Sequence, residues 1–208
     1  MKPFDFDTVL RTCFSEAQIA RLGALTVGLA GCGGLGSNCA IALVRSGFRR
    51  FILADFDVVE VGNLNRQAYT HHHLLRPKAA CLLDVLLAIN PAADITVSPT
   101  MLTAETSRSL FAGCDIVIEA FDRPEAKAML AQVFLPSQKL YITASGLAGY
   151  GCSDRIRVRR IGPTAYLVGD QQTGVGNGTF PYAPCVQVAA AKQADIALTW
   201  ALGGKICE

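Results

Sequence analysis

The chain of 208 residues is predicted to adopt an α/β fold, with helices on both faces of a mostly parallel sheet and an antiparallel extension near the C-terminus. Three observations predict this class. Short apolar runs alternate with helical patterns, which is typical of right-handed β-α-β units. A glycine-dense turn follows the first run, and after residue 150 arginines alternate with aliphatic residues. A Rossmann-like sheet with one antiparallel addition accounts for all three.

The strands and helices can be placed by their apolar patterns. Each predicted strand is a short apolar run bounded by polar residues, and the five runs are Val27–Ala30, Phe51–Ala54, Ile95–Val97, Ile116–Ile118 and Tyr141–Thr143. Helical periodicity predicts four helices between them, over Ser37–Ser46, Pro77–Asn90, Ala104–Phe111 and Pro124–Phe134. The second of these must end at Asn90, because a residue before proline is pushed out of the helical region.

The remaining C-terminal sequence has a different pattern. Arg155–Arg160 and Tyr166–Val168 are predicted to form the antiparallel strands. Asp170–Pro184, rich in glycine and proline, is predicted to be a mobile crossover loop, and the alanine-rich Val186–Leu202 a packed helix. We therefore expect one domain over 1–208, made of an N-terminal helical segment (1–24), a nucleotide-binding core (25–150), and the strands, crossover loop and last helix (151–208).

Composition narrows the functional classes. The net charge is +2 and no block of like charge occurs, so nothing indicates nucleic acid as a partner. No apolar stretch is long enough to cross a membrane and no signal peptide is evident, which predicts a cytoplasmic protein without membrane association. None of the eight cysteines forms a C-x-x-C pair, so no structural zinc is expected. The apolar fraction of 51% suggests a subunit interface.

The glycine turn indicates where a nucleotide binds. Gly31, Gly33, Gly34 and Gly36 lie between the first strand and the first helix of the sheet. Glycines let the backbone approach phosphates, and the helix N-terminus offers free N–H groups. Three of these glycines satisfy G-x-G-x-x-G, and Asp55 ends the second strand where such folds bind ribose. These residues alone fit a dehydrogenase as well as an ATP-consuming enzyme.

Three charged residues favour ATP over a nicotinamide cofactor. Arg66 lies in a polar loop soon after Asp55, and Lys78 begins a helix. Such cations suit a triphosphate, on which charge builds when the leaving pyrophosphate forms. Asp122 follows the fourth strand and faces the same crevice, as a magnesium ligand or as a helix N-cap.

Taken together, the motifs resemble those of one enzyme family. The runs GCGGLGS, DFDVVEVGNLNRQ, RPK and EAFD occur in the order seen in the adenylating domain of the ubiquitin-activating-enzyme superfamily, over about residues 20–205. The short ThiF-type members are the most similar. The resemblance implies adenylation of the C-terminal carboxylate of a small ubiquitin-like sulfur carrier, ThiS-like, in thiamine biosynthesis, by a homodimer that uses ATP and Mg²⁺.

The resemblance also implies a role for each matching residue. Gly31, Gly33, Gly34 and Gly36 would hold the nucleotide together with Asp55 and Asp57, while Asn63, Arg66 and Lys78 would contact phosphates. Asp122 would bind Mg²⁺, and the implied catalytic residues are Arg66, Lys78 and Asp122.

Two departures from the family pattern concern other residues. Arg11 and Arg21 do not lie in the N-terminal motif that reaches a partner subunit's ATP in some members. The loop Gln171–Phe180 contains no cysteine for a covalent step, and for Cys185 we expect a packing role.

The hypothesis is thus an ATP-dependent adenylyltransferase. Two alternatives stay open at this point. One is an NAD(P)-binding oxidoreductase built on the same glycine turn. The other is a non-catalytic nucleotide-binding partner protein.

Overall fold

A computed structural model describes residues 5–176 and 179–208. The strands are β1 (Thr26–Ala30), β2 (Arg50–Ala54), β3 (Asp94–Ser98), β4 (Ile116–Glu119), β5 (Leu140–Ala144), β6 (Arg157–Gly162) and β7 (Ala165–Gly169). The helices are α1 (Asp7–Leu10), α2 (Glu16–Ala24), α3 (Gly34–Arg45), α4 (Lys78–Ile89), α5 (Ala104–Leu110), α6 (Pro124–Phe134) and α7 (Ala183–Ala201). The predicted strands and helices are therefore confirmed, with ends shifted by up to three residues.

All the strands join one sheet in the order β3-β2-β1-β4-β5-β7-β6. Every neighbouring pair is parallel except β6 and β7. The antiparallel extension differs in one respect from the simplest prediction, since β7 is parallel to β5 and lies between it and β6. Only β6, at the edge, runs against its neighbour.

The chain reverses its direction of travel across the sheet between β1 and β4. From β1 it proceeds to β2 and β3 on one side, and it then crosses to β4 on the other side. Loops that leave the carboxyl ends of β1 and β4 diverge here and open a crevice, where ligands bind in such sheets. The glycine turn after β1 lies at this point.

Helices cover the sheet on both faces, and each face has its own core. On one face, Leu29 of β1 and Ile118 of β4 pack with Ala189 and Ala197 of α7. On the other face, Phe111, Val117, Phe134 and Tyr141 form a second buried cluster. Burial on both sides explains why β1, β4 and β5 have mostly apolar sequences, in which apolar and polar residues do not alternate. No described helix has the length and apolar character that crossing a membrane requires.

Close backbone contacts fix the glycine turn. Gly31 has a φ of +99°, and a Cβ there would lie 2.9 Å from the Ala120 carbonyl oxygen. A Cβ on Gly36 would lie 1.9 Å from the Gly31 carbonyl oxygen. Only glycine fits such approaches. In the structure α3 begins at Gly34, three residues before the predicted start at Ser37.

We expect Gly36→Ala to destabilise the protein by roughly 3 kcal/mol, because the added methyl group would have to displace the turn backbone. Urea unfolding monitored by circular dichroism measures this loss. Gly113→Ala is the matched control, since a Cβ at that position meets no atom within 4 Å. Equal unfolding midpoints for the two variants would contradict the close packing of the turn.

Candidate active site

The N-terminus of α3 is open toward the crevice. Its N-cap is Gly33, so no side chain caps the first turn of the helix. The free N–H groups and the helix dipole there favour an anion. A Cβ on Gly34 would lie 3.3 Å from Cγ of Arg66, so the Arg66 side chain packs directly against this helix end.

Asp55 ties the glycine turn to the end of β2. Its carboxylate accepts hydrogen bonds from the N–H groups of Cys32, at 2.6 Å, and Asp57, at 2.8 Å. Burial raises the pKa of Asp55 above its ordinary value, and the hydrogen bonds from Cys32 and Asp57 oppose that rise. Asp55 therefore has a structural role in the turn, in addition to the ribose contact predicted from the sequence.

Lys78 is buried at the start of α4 and is paired with Asp57. Its Nζ lies 2.8 Å from Oδ2 of Asp57, and its N–H donates to the Asp57 carbonyl at 2.9 Å. The Tyr69 hydroxyl lies 2.7 Å from the Cys32 carbonyl oxygen and 3.1 Å from that of Lys78. Sequence reasoning missed Tyr69, which connects the glycine turn to the start of α4.

The polar loop that carries Arg66 is fastened to α3. The Asn38 side-chain amide donates to the carbonyls of Gly34, at 2.6 Å, and Arg66, at 2.9 Å. The Ala68 N–H donates to the Ser37 hydroxyl at 3.1 Å. These bonds hold the Arg66 backbone beside the glycine turn, although the two segments are about 30 residues apart in sequence.

Within this loop, the hydrogen bonds of Asn63 and Arg66 are local. Oδ1 of Asn63 accepts the Glu60 N–H at 3.0 Å, and its amide NH₂ has no partner within residues 5–176 and 179–208. Nη1 of Arg66 donates to the Gly62 carbonyl at 3.0 Å and to Oδ1 of Asn65 at 2.9 Å. Arg66 has no carboxylate partner among the described residues.

A cleft of about 620 Å³ brings together two of the three predicted catalytic residues. It is bounded by the polar loop, the β4–α6 turn and the crossover loop, and its lining residues are Gly62, Asn65, Arg66, Asp122, Arg123, Pro124, Val175, Phe180, Pro181 and Tyr182. Arg66 and Asp122 share this cleft. Lys78, Asp55 and the glycines of the turn after β1 do not line it, and Lys78 is instead held by Asp57.

Asp122 is exposed and makes no hydrogen bond or ion pair within the described part of the chain. The N-cap of α6 is Arg123, with Pro124 in the first turn. The alternative interpretation of Asp122 as a helix N-cap is therefore wrong. Its carboxylate remains available to a ligand in the cleft.

A buried ion pair supports the turn that carries Asp122. Glu119, at the end of β4, is fully buried, and its carboxylate lies 3.0 Å from Nζ of Lys127 in α6. The same carboxylate accepts the Phe121 N–H, at 2.6 Å, and the Thr143 hydroxyl. Lys127 also donates to the Ala144 carbonyl at 2.8 Å. Sequence reasoning missed this group, although an acidic residue at the end of an apolar strand was a visible signal.

The crossover loop is anchored to its neighbours at both ends. Asp170 accepts the N–H groups of Gln172 and Thr173 and lies 2.9 Å from Nε of Arg155. Burial would raise the pKa of Asp170, but the bonds from Thr173 and Gln172 and the charge of Arg155 outweigh it, so this pKa is lowered. The Gly149 N–H donates to the Phe180 carbonyl at 2.8 Å. Residues 177 and 178 of the predicted loop lie outside the described residues.

The N-terminal arginines and Cys185 do not line the cleft. Arg11 pairs with Glu16, at 2.6 Å, and with Asp5, at 3.3 Å, on the surface. Arg21 lies in the last turn of α2. Cys185 is buried near the start of α7, in accord with the packing role expected for it.

Comparison with known proteins identifies the family of this chain. Residues 7–205 match the sequence profile of the ThiF family. The chain is 33% identical to adenylyltransferase and sulfurtransferase UBA4 of Candida glabrata, over 69% of the chain and 33% of that protein. It is 34% identical to the tRNA threonylcarbamoyladenosine dehydratase of Bacillus subtilis, over 67% of the chain and 56% of that protein. A third relative is the sulfur carrier protein ThiS adenylyltransferase of Escherichia coli, with 31% identity over 58% of the chain and 48% of that protein.

The chain thus spans between a third and just over half of the length of these curated relatives. Among solved structures, it is similar to the E. coli tRNA N6-threonylcarbamoyladenosine dehydratase in complex with AMP, with a TM-score of 0.85, 21% identity, and coverage of 94% of this chain and 93% of that one. At that identity the likeness establishes the Rossmann-like fold alone.

We expect Lys127→Met to cost roughly 3 kcal/mol of unfolding free energy, because it leaves the charge of Glu119 buried without its partner. Urea titration measures the loss, and Lys205→Met, at an exposed position, is the control. Combining Lys127→Met with Glu119→Gln should restore part of the stability, since no buried charge then remains. A double variant less stable than Lys127→Met would contradict the role of charge at this position.

Proposed function

Because the chain belongs to the ThiF family, we propose that it is an ATP-dependent adenylyltransferase that activates a carboxylate as its acyl-adenylate and releases pyrophosphate. The observation that carries the proposal is the meeting of Arg66 and Asp122 in one cleft, beside the open N-terminus of α3. The proposal treats the chain as a single adenylating domain. A nicotinamide cofactor would not require this combination of an unpaired cation and an unpaired carboxylate.

We assign the nucleotide contacts by position. The turn from Gly31 to Gly36 and the first N–H groups of α3 bind phosphates, and Asp55 binds ribose from the end of β2. Asn63 and Arg66 approach the phosphates from the polar loop. Lys78 contacts the phosphates from the start of α4, where Asp57 lies 2.8 Å from its ammonium group. Asp57 therefore acts through Lys78 in this assignment.

The chemical step is a displacement at phosphorus. A carboxylate oxygen of the acceptor forms a bond to the α-phosphorus, and the bond from that phosphorus to the bridging oxygen breaks. The electron pair leaves with pyrophosphate. Arg66 stabilises the charge that develops, and the fixed backbone of the turn keeps the phosphates in line for attack. No protein nucleophile is required, because the acceptor supplies the attacking oxygen.

The residues present fit a magnesium ion carried by the nucleotide. Mg²⁺ is commonly held by one or two carboxylates and the phosphates of a substrate, and Asp122 offers one such carboxylate. Within the described residues there is no cluster of three or more metal-ligating side chains that would form a site without the nucleotide. When bound, Mg²⁺ would neutralise phosphate charge and orient the leaving group.

The acceptor that we propose is the C-terminal carboxylate of a small ubiquitin-like sulfur carrier of the ThiS type, which would place the enzyme in thiamine biosynthesis. The E. coli relative that adenylates ThiS supports this choice. The proposal includes a homodimer in the cytoplasm, and eight unbridged cysteines suit a reducing compartment.

A carboxylate borne on RNA is a second candidate acceptor, and it departs from the expectation, based on the net charge of +2, that nucleic acid is not a partner. Arg157, Arg159 and Arg160 of the edge strand β6 are exposed, and none pairs with a carboxylate in the described part of the chain. Arg157 and Arg159 are two residues apart and share one face of the strand, and two such cations suit a phosphate backbone. The B. subtilis relative is named for a tRNA nucleoside, which gives this candidate further support.

We expect Arg66→Ala to lower acceptor-dependent exchange of labelled pyrophosphate into ATP by about a hundredfold, since it removes a donor to the developing charge. The assay contains Mg·ATP and, in separate reactions, purified sulfur carriers or bulk tRNA. EDTA should abolish the exchange.

Arg108→Ala is the matched control, because this exposed arginine of α5 lies away from the cleft. Unchanged exchange in Arg66→Ala would contradict the role of Arg66. Binding of ATP by the wild-type chain without exchange, for every acceptor tried, would favour the non-catalytic alternative. Thermal stabilisation by NADH and not by Mg·ATP would favour the oxidoreductase.

A further inference from the structure

The cleft contains a second arginine that the roles above leave unused. Arg123 is exposed and lines the same cleft as Arg66 and Asp122. It directly follows Asp122 in the turn between β4 and α6. Neither the glycine motif nor the polar-loop motif includes this residue, so sequence reasoning gave it no role.

The backbone at Arg123 is held from both sides. Before it, the Phe121 N–H is bound by the buried carboxylate of Glu119 at 2.6 Å. After it, Pro124 occupies the first turn of α6, where its ring fixes φ. The Arg123 carbonyl accepts the Lys127 N–H at 3.1 Å. The side chain therefore starts from a fixed point at the rim of the cleft, as a preorganised ligand contact must.

The charges of the cleft are unbalanced without a ligand. Arg66 and Arg123 have no carboxylate partner among residues 5–176 and 179–208, and Asp122 also has no ion pair there. Lys78 differs from both arginines, because Asp57 already neutralises it. Two arginines and one carboxylate give the cleft lining a net positive charge, which favours a bound anion.

Neither Arg11 nor Arg21 supplies this second cation within the same chain. Arg11 is engaged with Asp5 and Glu16 on the surface. Neither Arg11 nor Arg21 lines the cleft.

We propose that Arg123 is a catalytic residue that contacts the phosphates of ATP in the same chain, together with Arg66. It stabilises the negative charge that pyrophosphate gains when the bond from its oxygen to the α-phosphorus breaks. A guanidinium suits this contact, because its planar donors pair with two phosphate oxygens at once. The assignment rests on the proposed adenylyltransferase function.

Binding of Mg·ATP without any acceptor is the first test, measured by isothermal titration calorimetry. We expect Arg123→Ala to weaken binding about tenfold and Arg123→Lys to recover part of the loss, since lysine keeps the charge but not the paired donors. Arg108→Ala, which removes an exposed arginine outside the cleft, should bind like the wild type. Equal melting temperatures for all the variants establish that folding is unaffected.

Acceptor-dependent pyrophosphate exchange is the second test. Arg123→Ala should lower its maximal rate by about a hundredfold, beyond the loss of ATP binding, because the charge on the leaving group is largest in the transition state. If Arg123→Ala bound Mg·ATP and exchanged pyrophosphate as well as the wild type does, the assignment would be overturned. A rise confined to the KM for the acceptor would also overturn it, because the arginine would then contact the carboxylate.

The two proposals fail in different ways. If the wild-type chain bound no Mg·ATP or exchanged no pyrophosphate with any acceptor, this would contradict the adenylyltransferase function. The role of Arg123, which rests on that function, would be contradicted as well. If the wild type were active and Arg123→Ala matched it, only the role of Arg123 would fall.

Discussion

The site depends on how closely the turn after β1 approaches the ends of β2 and β4. Gly31 has room only for a hydrogen in place of a side chain, because the carbonyl of Ala120 lies against it. Asp55 binds the Cys32 N–H of the same turn from the other side. This contact orients α3, and α3 in turn holds the polar loop through Asn38. A larger side chain in the turn would shift α3 and the polar loop that α3 holds.

The paired and the unpaired charged residues around this turn have different physical roles. Glu119 with Lys127 and Asp57 with Lys78 are neutralised pairs with at least one buried member, and they fix the β4–α6 turn and the start of α4. Removing one partner from such a pair leaves an uncompensated charge. Arg66 and Asp122, by contrast, have no ion-pair partner among the described residues. Because these charges are not neutralised by other side chains, they are available to interact with a bound nucleotide.

Part of this arrangement followed from the sequence. The alternation of strands and helices predicted the sheet, and the ends of parallel strands share an edge, so Asp122 was expected near the glycine turn. Local pattern could not predict that Lys127 pairs with Glu119, or that the Tyr69 hydroxyl joins two carbonyls, because these contacts depend on packing between elements. Periodicity likewise predicts that a segment forms a strand, but it does not predict which strands lie beside it in the sheet. The position of β7 between β5 and β6 was therefore visible only in the structure.

The fate of a labelled carboxylate oxygen tests most directly whether ATP is consumed by adenylation. A sulfur carrier with ¹⁸O in its C-terminal carboxylate would be incubated with the enzyme and Mg·ATP, and the acyl-adenylate trapped with hydroxylamine. If the carboxylate attacks the α-phosphorus, hydroxylamine then cleaves the acyl–oxygen bond and one ¹⁸O remains on AMP. Mass spectrometry should detect AMP that carries this label. Label in inorganic phosphate, with ADP as the nucleotide product, would place the attack at the γ-phosphorus and contradict the account.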